Sequence, residues 1–230
     1  MADRLMRTRL LLGDEGIEKL QNSTVMVIGC GAVGSYAIEA LARGGVGHLK
    51  LVDFDTVEVS NINRQLFALQ STIGQKKVQV ALKRIKDISD DIKVDIYDTF
   101  LDEKNAFDLI SDVDFVIDAI DSRNSKIAIY QVCQAKKISF ISSMGAARRT
   151  DPQKIVTDLM KNTSVCPLAS VLRRMCKEKN IRMDFPVVYS SEEPAKAVGE
   201  NRQMGSLSTI TGIFGLFLAN YTINQIIKNI

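Results

Sequence analysis

The stretch VMVIGCGAVGSYAIEA, residues 25–40, runs four apolar residues into Gly29, Gly31 and Gly34 and then into small residues at helical spacing. A buried strand, a G-x-G-x-x-G turn and a helix in that order set backbone N–H groups and a helix N-terminus against phosphate. The missing side chains let the ligand come close. Gly29, Gly31 and Gly34 therefore read as nucleotide-lining residues. The turn alone does not name the nucleotide: Asp53, ending the next strand, is placed to hold ribose hydroxyls, and NAD and ATP both have them.

Outward from this turn, strands and helices alternate. A helix over 32–43 is stopped by Gly44 and Gly45, HLKLVDFD (48–55) is the next strand, and IGQKKVQVALKRIKDIS (73–89) is apolar at Val78, Leu82 and Ile85. IKVDIYD (92–98) alternates as a strand, DEKNAFDLI (102–110) is a short helix, and VDFVIDAID (113–121) is a strand with carboxylates at its end. A helix over 125–136 and the strand ISFISSM (138–144) follow. This rhythm predicts an α/β fold, a doubly wound, mainly parallel sheet with a Rossmann-like nucleotide half.

Past GAARRTDP (145–152) the rhythm breaks into a strand-like KIVTDL (154–159), a basic helix (166–179), a strand FPVVYSS (185–191) and a polar EEPAKAVGENRQ (192–203). The expectation is one domain over 1–230, with about 1–145 as the nucleotide-binding half and 146–230 supplying substrate and dimer elements.

Composition narrows the class. With 46% hydrophobic residues in 230, the chain can bury one sizeable core. A net charge of +3 is too small to imply nucleic acid by itself. The four cysteines form no C-x-x-C pair, so neither a disulfide framework nor a tetrathiolate zinc site is suggested, and no zinc is expected. The amino terminus lacks a secretory signal pattern, which predicts a cytoplasmic protein. In the apolar stretch 205–227, Ser, Thr and Asn intervene before a spanning length is reached, so a buried helix without integral membrane association is expected. His48, the single histidine, reads as structural.

The segment 53–81, DFDTVEVSNINRQLFALQSTIGQKKVQVA, separates the two nucleotides, because hydride transfer needs none of it. Arg64 and Lys77 can neutralise phosphate oxygens, while Asn61 and Gln65 add neutral hydrogen bonds, a set suited to a triphosphate. Asp121 lies at the carboxyl end of a strand, where ligands bind in open α/β sheets. It can hold magnesium or cap the following helix. Asp118 reads as structural.

Taken together, GCGAVGS (29–35), DFDTVEVSNINRQ (53–65), GQKKVQVA (74–81) and DAIDS (118–122) resemble the ThiF and MoeB superfamily, adenylating enzymes related to ubiquitin activators. The resemblance implies ATP at Gly29, Gly31, Gly34 and Asp53, phosphate contacts from Asn61, Arg64 and Lys77, and magnesium linked to Asp121. RLMRTRLLLG (4–13) is similar to the family's amino-terminal helix. There Arg7 matches an arginine that reaches the partner subunit's ATP, which implies a homodimer.

The second half resembles one group of that superfamily, the TcdA-type tRNA threonylcarbamoyladenosine dehydratases, in residues 145–179, in VVYSSEEP (187–194) and in GSLSTITGIFG (205–215). The implied activity is ATP-dependent adenylation of the threonylcarbamoyl carboxylate of a modified tRNA adenosine, followed by cyclisation. Arg148, Arg149, Arg173, Arg174 and Lys177 are the candidate tRNA surface. An adenylyltransferase acting on a ubiquitin-like sulfur-carrier protein is the alternative enzyme, although the two C-x-x-C pairs common in such members are absent. A nucleotide-binding regulator is the non-enzyme alternative. The polar loop before the last helix, ENRQMGSLST (200–209), lacks the cysteine that some members carry, which counts against sulfur transfer.

Overall fold

A computed structural model describes residues 3–196 and 204–229. Seven strands form one sheet in the order β3-β2-β1-β4-β5-β7-β6. They are β1 (Thr24–Ile28), β2 (His48–Val52), β3 (Lys93–Tyr97), β4 (Phe115–Asp118), β5 (Ser139–Ser143), β6 (Ile155–Leu159) and β7 (Pro186–Ser190). Every pairing is parallel except the edge pair β6 and β7. The α/β, doubly wound prediction is met, and the strand order reverses between β1 and β4, where such sheets open a crevice for ligands.

The apolar run of β1 is explained by burial on both faces. Val25 and Val27 join a cluster with Ile38, Leu41, Phe214 and Leu218, whereas Met26 and Ile28 join one with Ile127, Tyr130 and Leu172. A strand covered on both sides cannot alternate with polar residues. The first cluster lies under α1 (Met6–Asn22), α2 (Gly34–Gly44), α3 (Lys77–Ile88) and α7 (Ser208–Asn229). The second lies under α4 (Ala106–Leu109), α5 (Arg123–Lys136) and α6 (Pro167–Glu178).

Two helix starts differ from expectation. α2 begins at Gly34 because residues 29–33 are spent on the turn, and α5 begins at Arg123 because Ser122 caps it, its Oγ accepting from the Ser125 N–H. The C-terminal segment also differs. Ser, Thr and Asn do not interrupt it: α7 runs 22 residues and is long and apolar enough to cross a membrane, but half of that stretch is buried against the protein. Thr211 and Thr222 turn their hydroxyls back to the carbonyls of Leu207 and Leu218, which lets polar residues sit inside the packed face. Residues 197–203 of the polar loop lie outside the described residues.

Candidate active site

The glycine turn is shaped by two close approaches and one open space. Gly29 has φ +98°, and a Cβ there would stand 2.8 Å from the Ala119 carbonyl oxygen. A Cβ on Gly34 would stand 1.7 Å from the Gly29 carbonyl oxygen, so the first turn of α2 can rest on the loop only because Gly34 has no side chain. At Gly31 the nearest atom is Gln65 Nε2 at 3.8 Å, and Gly31 faces a cavity of about 760 Å³. That volume falls in the range of small-molecule sites.

Around this cavity the structure gathers Gly29, Gly31, Asp53, Asn61, Arg64, Gln65, Lys77 and Asp121. Asp53 Oδ2 accepts from the Cys30 N–H at 2.7 Å and Oδ1 from the Asp55 N–H at 2.9 Å, tying the end of β2 to the glycine turn. Burial pushes the Asp53 carboxyl above its ordinary range, and the two backbone donors partly offset this. Lys77, first residue of α3 and 7% exposed, donates to Asp55 Oδ2 at 2.7 Å. Asp55 was not anticipated as its partner, although two carboxylates spaced by two after a strand were visible in the sequence. Arg64 donates to the Ser60 carbonyl at 2.7 Å and to Asn63 Oδ1 at 3.1 Å.

Asn61 reaches the wall, but its side chain is engaged in its own turn. Its Oδ1 accepts from the Glu58 N–H at 3.1 Å, and its amide nitrogen is 3.4 Å from Ser60 Oγ. Asp121 is exposed and has no hydrogen bond or ion pair among the described residues. With Ser122 as the cap, the capping alternative for Asp121 is set aside. Gly34 supports the turn from behind, and Arg7 is exposed on α1, away from the cavity of its own chain.

Beneath the cavity lies a network that sequence reasoning missed. Asp118 and Lys126 are both fully buried and paired at 2.9 Å. Ser142 Oγ donates to Asp118 at 2.5 Å, Lys126 also reaches the Ser143 carbonyl at 2.7 Å, and the Tyr130 hydroxyl meets Ser142 at 2.7 Å. Burial, then the charge of Asp118, pushes the Tyr130 hydroxyl far above its ordinary value. The available signal was Lys126 in register with Tyr130 and Cys133 on one buried helix face.

The tRNA-surface set needs two corrections. Arg149 is 2% exposed and lines the cavity, so it is no part of an outer face. Arg173 is half-buried and donates to the Thr163 carbonyl at 2.7 Å and to the Thr163 hydroxyl, which commits it to the fold. Arg174 and Lys177 are exposed on α6, and Arg148 stands partly exposed at the cavity. A shallow groove beside the cavity adds Arg123, close to Asp121 and Arg174.

The remaining titratable candidates are structural. His48 is held between Thr24 Oγ1 and Asp95 Oδ2. All four cysteines are buried; burial raises the Cys30 thiol far above its ordinary value and lifts Cys176 to about 11, which leaves little thiolate. Among the described residues no three His, Cys, Asp or Glu side chains converge to hold a metal.

The ThiF family profile matches residues 2–229. The chain belongs to the ThiF family. It is 37% identical over 247 residues to the tRNA threonylcarbamoyladenosine dehydratase of Bacillus subtilis, covering 100% of this chain and 97% of that protein. The crystal structure of Escherichia coli tRNA N6-threonylcarbamoyladenosine dehydratase, TcdA, in complex with AMP superposes with a TM-score of 0.92 at 31% identity, covering 97% of this ThiF-family chain and 93% of the other. The same E. coli enzyme in complex with ATP superposes with a TM-score of 0.91 at 31% identity and the same coverage.

Proposed function

We propose that this ThiF-family protein is an ATP-dependent tRNA threonylcarbamoyladenosine dehydratase. One observation carries the reading: a single cavity is lined both by the glycine turn, Asp53, Arg64 and Lys77 and by residues 143–149 and 166–168. A nucleotide and the group it activates can therefore share one cavity. Similarity over nearly the whole of dehydratases crystallised with AMP and ATP supports it, and favours it over a sulfur-carrier adenylyltransferase or a regulator without turnover.

In the first step a carboxylate oxygen of the threonylcarbamoyl group attacks the α-phosphorus, and the bond to the pyrophosphate oxygen breaks. An atom of the carbamoyl group then attacks the activated carbonyl carbon. The bond to AMP breaks, a proton is lost, and the former carboxylate oxygen leaves with AMP. Gly29 and Gly31 let the backbone N–H groups approach the phosphates, and Asp53 takes the ribose hydroxyls. Arg64 and Lys77, with Asn61 and Gln65 beside them, stabilise charge that grows on the phosphate oxygens. Such preorganised donors are the largest contribution to transfers of this kind.

Asp121 suits a magnesium ion carried by the triphosphate, because such sites use one or two carboxylates plus phosphate oxygens and Asp121 has no partner to give up. When bound, the ion supplies neutralisation of the phosphate charge. Arg148, Arg174 and Lys177, with Arg123, form the proposed tRNA surface. We read 1–230 as one adenylating unit, cytoplasmic and homodimeric. Its amino-terminal helix leaves Leu10 and Leu11 each 83% exposed beside Arg7, an apolar face suited to a second copy that would carry Arg7 to the neighbouring ATP.

The test is mass spectrometry of tRNA nucleosides after incubation with ATP and magnesium. The expected result is loss of one water from threonylcarbamoyladenosine, with pyrophosphate exchange stimulated by modified tRNA. Exchange stimulated instead by a carrier protein ending in Gly-Gly would overturn the assignment.

A further inference from the structure

Arg149 presents an unsettled balance. It is 2% exposed, its Nε and Nη1 have no hydrogen-bond partner, and no carboxylate lies within ion-pair distance among the described residues. The nearby Glu192 is occupied, accepting from the N–H groups of Thr150 and Asp151 and from the Thr150 hydroxyl. Burying an unpaired guanidinium is expensive, and native folds satisfy such groups or use them. Arg148, immediately before it, has φ +60°, a left-handed conformation that a side chain other than glycine adopts at a cost. The chain thus accepts two penalties at adjacent residues of the cavity wall.

The position of Arg149 decides what would satisfy it. The glycine turn and Asp121 flank the crevice between β1 and β4, where the phosphates belong. Arg149 lies in the loop that leaves β5, and β5 is separated from β1 by β4. Met144, Gly145, Ala146, Cys166 and Leu168 line the same cavity with Arg148, and the carboxylates of Glu192 and Glu193 act on Arg149 only from beyond ion-pair distance. A planar guanidinium in a dry wall matches one small planar anion, which it holds by two parallel hydrogen bonds.

We propose that Arg149 binds the carboxylate of the acyl substrate before its adenylation, a substrate-anchoring residue on the side of the cavity opposite the phosphates. This deepens the dehydratase reading and rests on it. The anchored carboxylate is the group that must reach the α-phosphorus. Arg149 therefore selects an anionic side chain over a neutral one, and on activation the anion it held is neutralised.

The test titrates free threonylcarbamoyladenosine and its carboxamide, in which a neutral amide replaces the carboxylate, in the presence of a non-hydrolysable ATP analogue. Wild type is expected to prefer the carboxylate by at least roughly thirtyfold, the scale on which losing one partner of a buried charge pair is felt. In Arg149→Met the preference should vanish, with affinity for the ATP analogue unchanged and the unliganded Tm equal or higher, since an unpaired buried charge has been removed. Arg149→Lys keeps the charge but not the fork, and should weaken carboxylate binding alone. Equal loss for both ligands, a lowered Tm, or a drop in affinity for the ATP analogue would each overturn the proposal. If wild type fails to dehydrate modified tRNA, the underlying reading fails; if it does so and Arg149→Met still discriminates, only the anchor fails.

Discussion

Lys126 and Arg149 are both buried, one below the cavity and one in its wall, and their surroundings are opposite. Lys126 meets Asp118, Ser142 and the Ser143 carbonyl, whereas Nε and Nη1 of Arg149 have no hydrogen-bond partner among the described residues. The carboxylates repeat the contrast: Asp118 is fully buried and paired, while Asp121, three residues on, is exposed and has no partner among the described residues. A charge whose partners belong to the fold holds the strand ends in place. A charge without partners in the same neighbourhood is, in the proposal above, the one that meets a ligand.

The largest expected effect tests the first half of this contrast. Asp118→Ala leaves Lys126 buried and uncompensated, and should destabilise the protein by about 3–5 kcal/mol in urea unfolding. The double variant Asp118→Leu with Lys126→Met should recover much of that loss, because neither charge remains. If Asp118→Ala is as stable as wild type, the network is not what holds the strand ends. Gly34→Ala comes next: its Cβ would collide with the Gly29 carbonyl, and the strain should cost up to about 3 kcal/mol and weaken ATP binding, read by thermal melting and titration.

Asp121→Asn sharpens the other half. It should leave urea unfolding unchanged, since it breaks no contact, and slow pyrophosphate exchange roughly a hundredfold. A loss of stability would reassign Asp121 to the fold. The smallest effect concerns Asp53. Its carboxyl titrates above the ordinary aspartate value because it is buried, so the folded state holds a proton that the unfolded state has released. Its contribution to stability therefore falls as pH rises between the ordinary value and the raised one, and is flat above, with a slope below one proton. Subtracting the stability curve of Asp53→Asn from that of wild type should isolate this slope; a difference that rises with pH would contradict it.

That the proposed nucleotide residues share one cavity was legible in the sequence because they lie close together in it. Residues 25–40 encode a strand, a turn and a helix in sequence, and Asn61, Arg64, Gln65 and Lys77 follow in one segment that wraps a single cavity. The sheet followed from the same rhythm. What was not legible depends on inside against outside. Arg148 and Arg149 are adjacent and identical in type, yet one is partly exposed and the other buried, and the left-handed backbone at Arg148 is not announced by composition. Arg173 reads as surface charge until the loop bearing Thr163 folds onto it. The pairing of Lys126 has no local signal, because its partner, Asp118, lies on a strand packed against α5.

The helix α7 is the last element described, yet Phe214 and Leu218 share an apolar cluster with Val25 and Val27, and Gly215 sits against the backbone of Val33. Order of synthesis therefore runs against order of packing. A nascent chain emerges amino end first, and α2, which carries the glycine turn, waits with one flank bare until residues 208–229 leave the ribosome. Until then the apolar residues of α2 and β1 that face α7 stay uncovered, so the packing behind the glycine turn is completed only by the final helix.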